Sequence, residues 1–222
     1  MSEAFEIAAE ATAAEARATL IGAGWRLIGV GDWSWVFASP DGASACRVTP
    51  IDPAHRMFAE ACLSRPANRW LPAIERLLPL RRAGYMVFME RLFPADPEAA
   101  AAFCAVIAGE TKMGRDADMA GVRALISELG EAGARRFRLW GGADVRPGNV
   151  MADAQGWLKL VDPLYVSGRE VVAAIEAGAV EALAGFAPGE LEDFLTIPVF
   201  PEGEATAALR AKLVAVVRLL GR

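Results

Sequence analysis

An α+β fold, with a small antiparallel sheet followed by a mostly helical half, is what this sequence predicts. Three observations carry the prediction. Between Trp25 and Leu92, short apolar runs alternate with Gly- and Pro-containing turns, the pattern of antiparallel strands. Beyond a break at 93–97 (FPADP) the spacing turns helical, and Met119, Val122, Leu125, Ile126 and Leu129 recur on one face. A chain of 222 residues that is 54% apolar can bury a sizeable core, as one large domain or as two small lobes.

Taken in order, residues 2–20 are dense in Ala and Glu and predict a helix that Gly22 and Gly24 end. Residues 25–37 and 43–48 predict two antiparallel strands joined by a turn at Pro40, Asp41 and Gly42. Asp52-Pro53 then starts a helix, with Asp as cap and Pro at the first position. Glu60 lies on that helix, and His55, the only histidine, is expected to be an exposed helix residue one turn in. Residues 74–80 and 84–92 predict two further strands, and 93–97 a linker. Helices are expected over 98–110 and 117–137, then over 168–183, 188–195 and 203–220. Ala187-Pro188-Gly189-Glu190 reads as a helix start.

Composition excludes several partners. The net charge of −5 leaves no basic footprint for nucleic acid. No run reaches the roughly 18–20 apolar residues of a membrane span, and the acidic, Ala-rich start is unlike a signal peptide. Cys46, Cys62 and Cys104 are scattered, without metal-ligand spacing, so a reduced cytoplasmic compartment is expected. Oligomeric state leaves no trace in the sequence.

The chemistry concentrates in 140–165. Asp144 precedes Asn149 by five positions, and Asp162 lies thirteen further on. Between the last two a hairpin is expected: a strand ending in Val150 and Met151, a turn at 153–156 (DAQG), and a second strand over 157–161 (WLKLV). A tight hairpin returns its ends to one place, so Asn149 and Asp162 should lie side by side. Two such oxygen donors suit magnesium held jointly with substrate phosphates. Asp144, on the loop before the hairpin, would be free to meet an attacking hydroxyl. Arg146 is a candidate phosphate contact, and Pro147 stiffens the loop. The same residues also allow a polar loop leading into an ordinary surface hairpin, because Asp and Asn are common in turns.

Asp144 to Met151, DVRPGNVM, resembles the catalytic loop of the protein-kinase-like superfamily, and V-D-P-L around Asp162 resembles its metal-binding motif. Atypical bacterial and phage members and small-molecule kinases are the nearest in form. Pro163 and Leu164 replace the usual Phe and Gly, and Gly142 and Ala143 stand where a His-Arg pair normally precedes the catalytic Asp. The resemblance implies a two-lobed fold, with 1–92 as a small lobe bearing the sheet and 93–222 as a reduced helical lobe. It further implies a glycine-rich loop at Gly29, Gly31 and Ser34, with Val36 over the adenine. Arg47 stands at the position of the phosphate-holding strand lysine, a swap that keeps charge but changes shape. Glu60 would be its helix partner, or else a solvated surface residue. Met89 would face the back of the adenine pocket, and backbone groups of Glu90 and Leu92 would meet the base.

The implied activity is ATP- and magnesium-dependent phosphoryl transfer to a protein or small-molecule hydroxyl, with Asp144 and Arg146 catalytic and Asn149 and Asp162 holding the metal. Two alternatives remain open on the sequence. One is a catalytically impaired nucleotide-binding module. The other is a non-enzymatic interaction protein.

Overall fold

The structure, a computed structural model, describes residues 10–110, 116–200 and 203–221. It is α+β, with a small antiparallel sheet and several helices. The first helix, α1 (Ala13–Gly22), begins at a Thr12 cap whose hydroxyl accepts from the Glu15 amide while Glu15 reaches back to Thr12. The N-terminal part of the expected first helix lies outside the described residues.

Five strands follow: β1 (Arg26–Val30), β2 (Trp35–Ala38), β3 (Ser44–Thr49), β4 (Ile74–Pro79) and β5 (Tyr85–Glu90). They form one antiparallel sheet in the order β1-β2-β3-β5-β4. Leu20 and Ala16 of α1 pack with Phe37, Cys46, Val48, Met86 and Phe88, closing a small core on one face of the sheet. Helix α2 (Pro53–Ser64) enters between β3 and β4. Its Phe58 and Ala54 belong to a larger core shared with the second half of the chain.

That half holds α3 (Pro97–Ala108), α4 (Ala117–Arg136), α5 (Gly168–Ala177), α6 (Pro188–Glu192) and α7 (Glu204–Leu220). Met119, Val122, Leu125 and Leu129 of α4 are buried, the stripe its periodicity predicts. The break at 93–97 is more ordered than a linker. Phe93–Pro94 forms a short strand, β6, which pairs with β8 (Val150–Ala152), and β8 pairs in turn with β9 (Leu158–Leu160). Two strands without sequence signal, β7 (Trp140–Ala143) and β10 (Leu164–Val166), pair antiparallel and hold the two ends of the 144–163 segment together. The helix expected over 168–183 ends at Gly178, in the left-handed region at φ 65°, and a 3-10 turn over Val180–Leu183 continues it.

Candidate active site

The β8–β9 hairpin closes as its turn residues dictate. The Asp153 carboxylate accepts from the Gln155 and Trp157 amides, and Gly156 takes φ 85°. At the open end the Val161 amide donates to the Asn149 carbonyl at 3.0 Å, so Asn149 and Asp162 lie side by side. From the other direction the β7–β10 pair brings the Asp144 amide onto the Pro163 carbonyl at 2.7 Å. Three residues spread over nineteen positions are thus gathered by two independent strand pairings.

Asn149 is the hub. It is buried, and its Nδ2 donates to the Asp144 carbonyl at 2.8 Å, to Asp144 Oδ2 at 2.9 Å and to the Asp162 carbonyl at 2.8 Å. Three acceptors around one atom require the amide nitrogen there, which turns Oδ1 the other way as an acceptor. Arg146 Nε donates to Asp144 Oδ2 at 3.0 Å, from a largely exposed side chain.

The sheet supplies the opposite wall. Arg47 Nη2 meets Asp52 Oδ2 at 2.6 Å, and its Nη1 meets Asp162 Oδ2 at 3.1 Å. Asp52 caps α2 with its other oxygen, accepting from the His55 amide at 3.0 Å. Burial opposes the charge of Arg47, yet the Asp162 and Asp52 carboxylates hold its pKa above the ordinary arginine range. Burial pushes the Asp52 carboxyl up to about 7, against the pull of Arg47 and with the Asp162 charge adding to the rise. The guanidinium is the member whose charge is fixed, because it faces two carboxylates while they share one cation.

Glu60 is not the partner of Arg47. Its side chain is 52% exposed and pairs with Arg56 at 2.9 Å, one turn along the same helix. Asp52, the cap of α2, takes the place expected of Glu60, which lies in the second turn and turns to Arg56. His55 is a second correction: it is 2% exposed. Tyr85 Oη donates to the Asp52 carbonyl at 2.9 Å, so its oxygen accepts from His55 Nδ1 at 3.0 Å. Nδ1 therefore carries a proton, and burial, with Arg47 nearby, lowers the imidazole's pKa well below the usual value, which favours its neutral form.

A cleft of about 1000 Å³ runs between the two walls. Gly29, Gly31, Ser34, Val36, Arg47, Met89, Glu90 and Leu92 line it, as do Asp144, Arg146, Asn149 and Asp162. Glu60 does not. Gly29 and Gly31 have room for a Cβ and no positive φ, so nothing inside the protein demands glycine there. The Glu90 amide N–H is already committed to the Ala73 carbonyl at 3.0 Å and is not free for a base. Lys159, buried at the back of the hairpin, joins Glu90 at 3.4 Å to Asp153 at 3.6 Å and fastens the hairpin to the end of β5. A lone lysine inside the apolar run WLKLV was its only sequence signal.

No family model matches the sequence, and no curated protein matches it. Among solved structures, an aminoglycoside phosphotransferase from Streptomyces rimosus aligns with 93% of this chain and 99% of its own. The TM-score is 0.33 and the identity 14%. So slight a likeness leaves the reading of the site to its own geometry.

Among the described residues, no three His, Cys, Asp or Glu side chains lie close enough to hold a metal by themselves. The donors at hand are the Asn149 amide oxygen and the Asp162 carboxylate, hard oxygens and few in number. That set fits a magnesium ion that takes its remaining ligands from substrate phosphates and water. No helix among the described residues is long and apolar enough to cross a membrane.

Proposed function

We propose that this chain is an ATP- and magnesium-dependent phosphotransferase of the protein-kinase-like kind, with 1–92 as its small lobe and 93–222 as its large one. The observation that carries the reading is the convergence of Asp144, Asn149 and Asp162 on the Asn149 amide, with Arg47 reaching Asp162 from the opposite wall. A polar surface hairpin has no use for a buried hub or for a charged residue delivered from another sheet.

The nucleotide is assigned to the sheet side. Gly29 and Gly31 let backbone approach phosphate oxygens, and Val36 and Met89 flank the base. Arg47 lines the cleft with a side chain 11% exposed, and we assign its guanidinium to the phosphates, whose charge it would offset. Asn149 Oδ1 and Asp162 would hold magnesium, which when bound offsets charge on the phosphates. Asp144 Oδ1 orients the acceptor hydroxyl and takes its proton. The hydroxyl oxygen bonds to the γ-phosphorus, the bond from that phosphorus to the β–γ bridging oxygen breaks, and ADP leaves with the electron pair. Arg146, already on Asp144, fixes that carboxylate and lies where charge on the transferring group develops.

One observation favours a second reading, a binding module without turnover. Arg47 bonds Asp162 directly, and a guanidinium on the metal-binding carboxylate competes with the metal. Asp144→Asn separates the two. The change is nearly isosteric and touches the acceptor rather than the nucleotide. An enzyme should lose about two to four orders of magnitude in phosphotransfer while its Mg-ATP melting shift survives. A binding module shows the shift in both forms and turnover in neither. Full phosphotransfer in Asp144→Asn would remove the central residue of the proposal.

A further inference from the structure

The cleft extends past Asp144, and that end has a character of its own. Its walls are Trp33 from the β1–β2 turn, Tyr165 from β10, Val172 from α5, and Phe194 and Phe200 from the segment after α6. Trp33 packs edge-on to Phe194 at 5.4 Å, and Phe194 to Phe200 at 5.3 Å. Around the mouth, large apolar side chains stand in solvent: Val30 is 60% exposed, Val199 50% and Tyr165 43%. Exposed apolar groups gathered round one opening mark a site that takes an apolar ligand.

The charges there are few. The carboxylates are Asp32 and Asp144, and Asp144 already accepts from Arg146. The cations are Arg146 and Arg169, both exposed at the rim, and Arg169 has no ion-pair partner among the described residues. A polycation would meet two arginines and one uncommitted carboxylate. An anion would meet an unpaired guanidinium. The mouth is also tied across: the Val199 amide donates to the Asp32 carbonyl at 3.2 Å, alongside the Trp33–Phe194 contact. An extended peptide would have to break both links, whereas a small molecule need not. The whole cleft is at the upper end of the range of about 300–1,000 Å³ for small-molecule sites, room for a nucleotide and one further small ligand.

We propose that the acceptor is a small, largely apolar alcohol or phenol bearing a carboxylate, its ring against Trp33 and Tyr165 at the mouth and its carboxylate on Arg169. This rests on the phosphotransferase reading and names the acceptor class for the same site. The test is a panel of aromatic and alicyclic hydroxy acids, hydroxyphenylpropionate among them, against matched hydroxy amines such as tyramine and a polycationic aminoglycoside. Each is assayed for transfer of radiolabelled γ-phosphate and for a melting shift in the presence of Mg-ATP. The hydroxy acids should be preferred by at least about tenfold. Arg169→Glu, at an exposed position, should reverse the preference for acid over amine. Val199→Asp, also exposed, should weaken the acids without disturbing the core. A Mg-ATP shift accompanied by preference for the amines or the aminoglycoside, or by no response to any hydroxy acid, overturns the acceptor class and leaves the phosphotransferase reading standing. Absence of any Mg-ATP shift removes that reading, and this inference with it.

Discussion

Asp52 performs two tasks with one carboxylate, capping α2 with one oxygen and holding Arg47 with the other. Its backbone carbonyl accepts from Tyr85, which orients His55. Removing any member leaves a buried polar group unpaired, so the set is coupled. His55 gives it a measurable pH signature. The folded imidazole resists protonation, while the unfolded one titrates near 6.5. Its contribution is therefore full above about pH 6.5 and is lost as pH falls below that, at up to about 1.4 kcal/mol per pH unit. Asp52 runs the other way, because its raised pKa favours the folded state at low pH and that gain is lost as pH rises through about 7. His55→Asn removes the titration and keeps a donor for Tyr85. Urea unfolding of both forms between about pH 7 and pH 5 should show the variant losing less stability on acidification than wild type; equal losses would mean His55 is protonated in the fold. At this scale the sequence was legible where chemistry is local. Asp144, Asn149 and Asp162 stood out by spacing, and Asp52 as a cap before Pro53. It was not legible where a partner comes from elsewhere: the burial of His55 depends on Tyr85, thirty positions on, and Arg47 is met by the cap of α2 while Glu60, farther along the helix, pairs with Arg56.

At the scale of elements, the hairpin was readable because Asp153 and Gly156 specify its turn and the alternation of β9 its register. The β7–β10 pair was not. Trp140-Gly141-Gly142-Ala143 has no strand pattern, and its partner is more than twenty residues away. What positions β7 is a close approach to α4. A Cβ built on Gly133 would lie 2.3 Å from the Trp140 indole. Gly133→Ala should therefore cost about 1–3 kcal/mol through overpacking and should lower phosphotransfer by displacing the strand that leads to Asp144. A Cβ built on Gly130, three residues earlier on the same helix, would meet nothing within 4 Å among the described residues. Gly130→Ala should instead stabilise, by roughly 0.4–1 kcal/mol. Chemical denaturation of the pair checks both signs, and a neutral Gly133→Ala would show that β7 is not held by this contact.

At the scale of the whole molecule, the two halves of the chain are joined by ion pairs in more than one place. Arg82 reaches across from the β4–β5 turn to Glu192 and Asp193 of the α6 region, at 2.5 Å and 3.0 Å. These exposed pairs contribute little each. Arg47–Asp162 differs, because it is largely buried and joins the proposed phosphate-binding residue to the proposed metal ligand. In the proposed function Asp162 is thus the point where metal, nucleotide and the two halves of the chain meet. The most direct test is the melting temperature of wild type and Asp162→Asn with ATP, in magnesium and in chelator. At a hundredfold excess over Kd, binding should stabilise wild type by about 2.7 kcal/mol, a shift of roughly 5–10 °C for a chain of this size. The shift should be larger in magnesium than in chelator for wild type, and equal in the two conditions for Asp162→Asn. The same magnesium-dependent shift in both proteins, or no shift in either, would contradict the account.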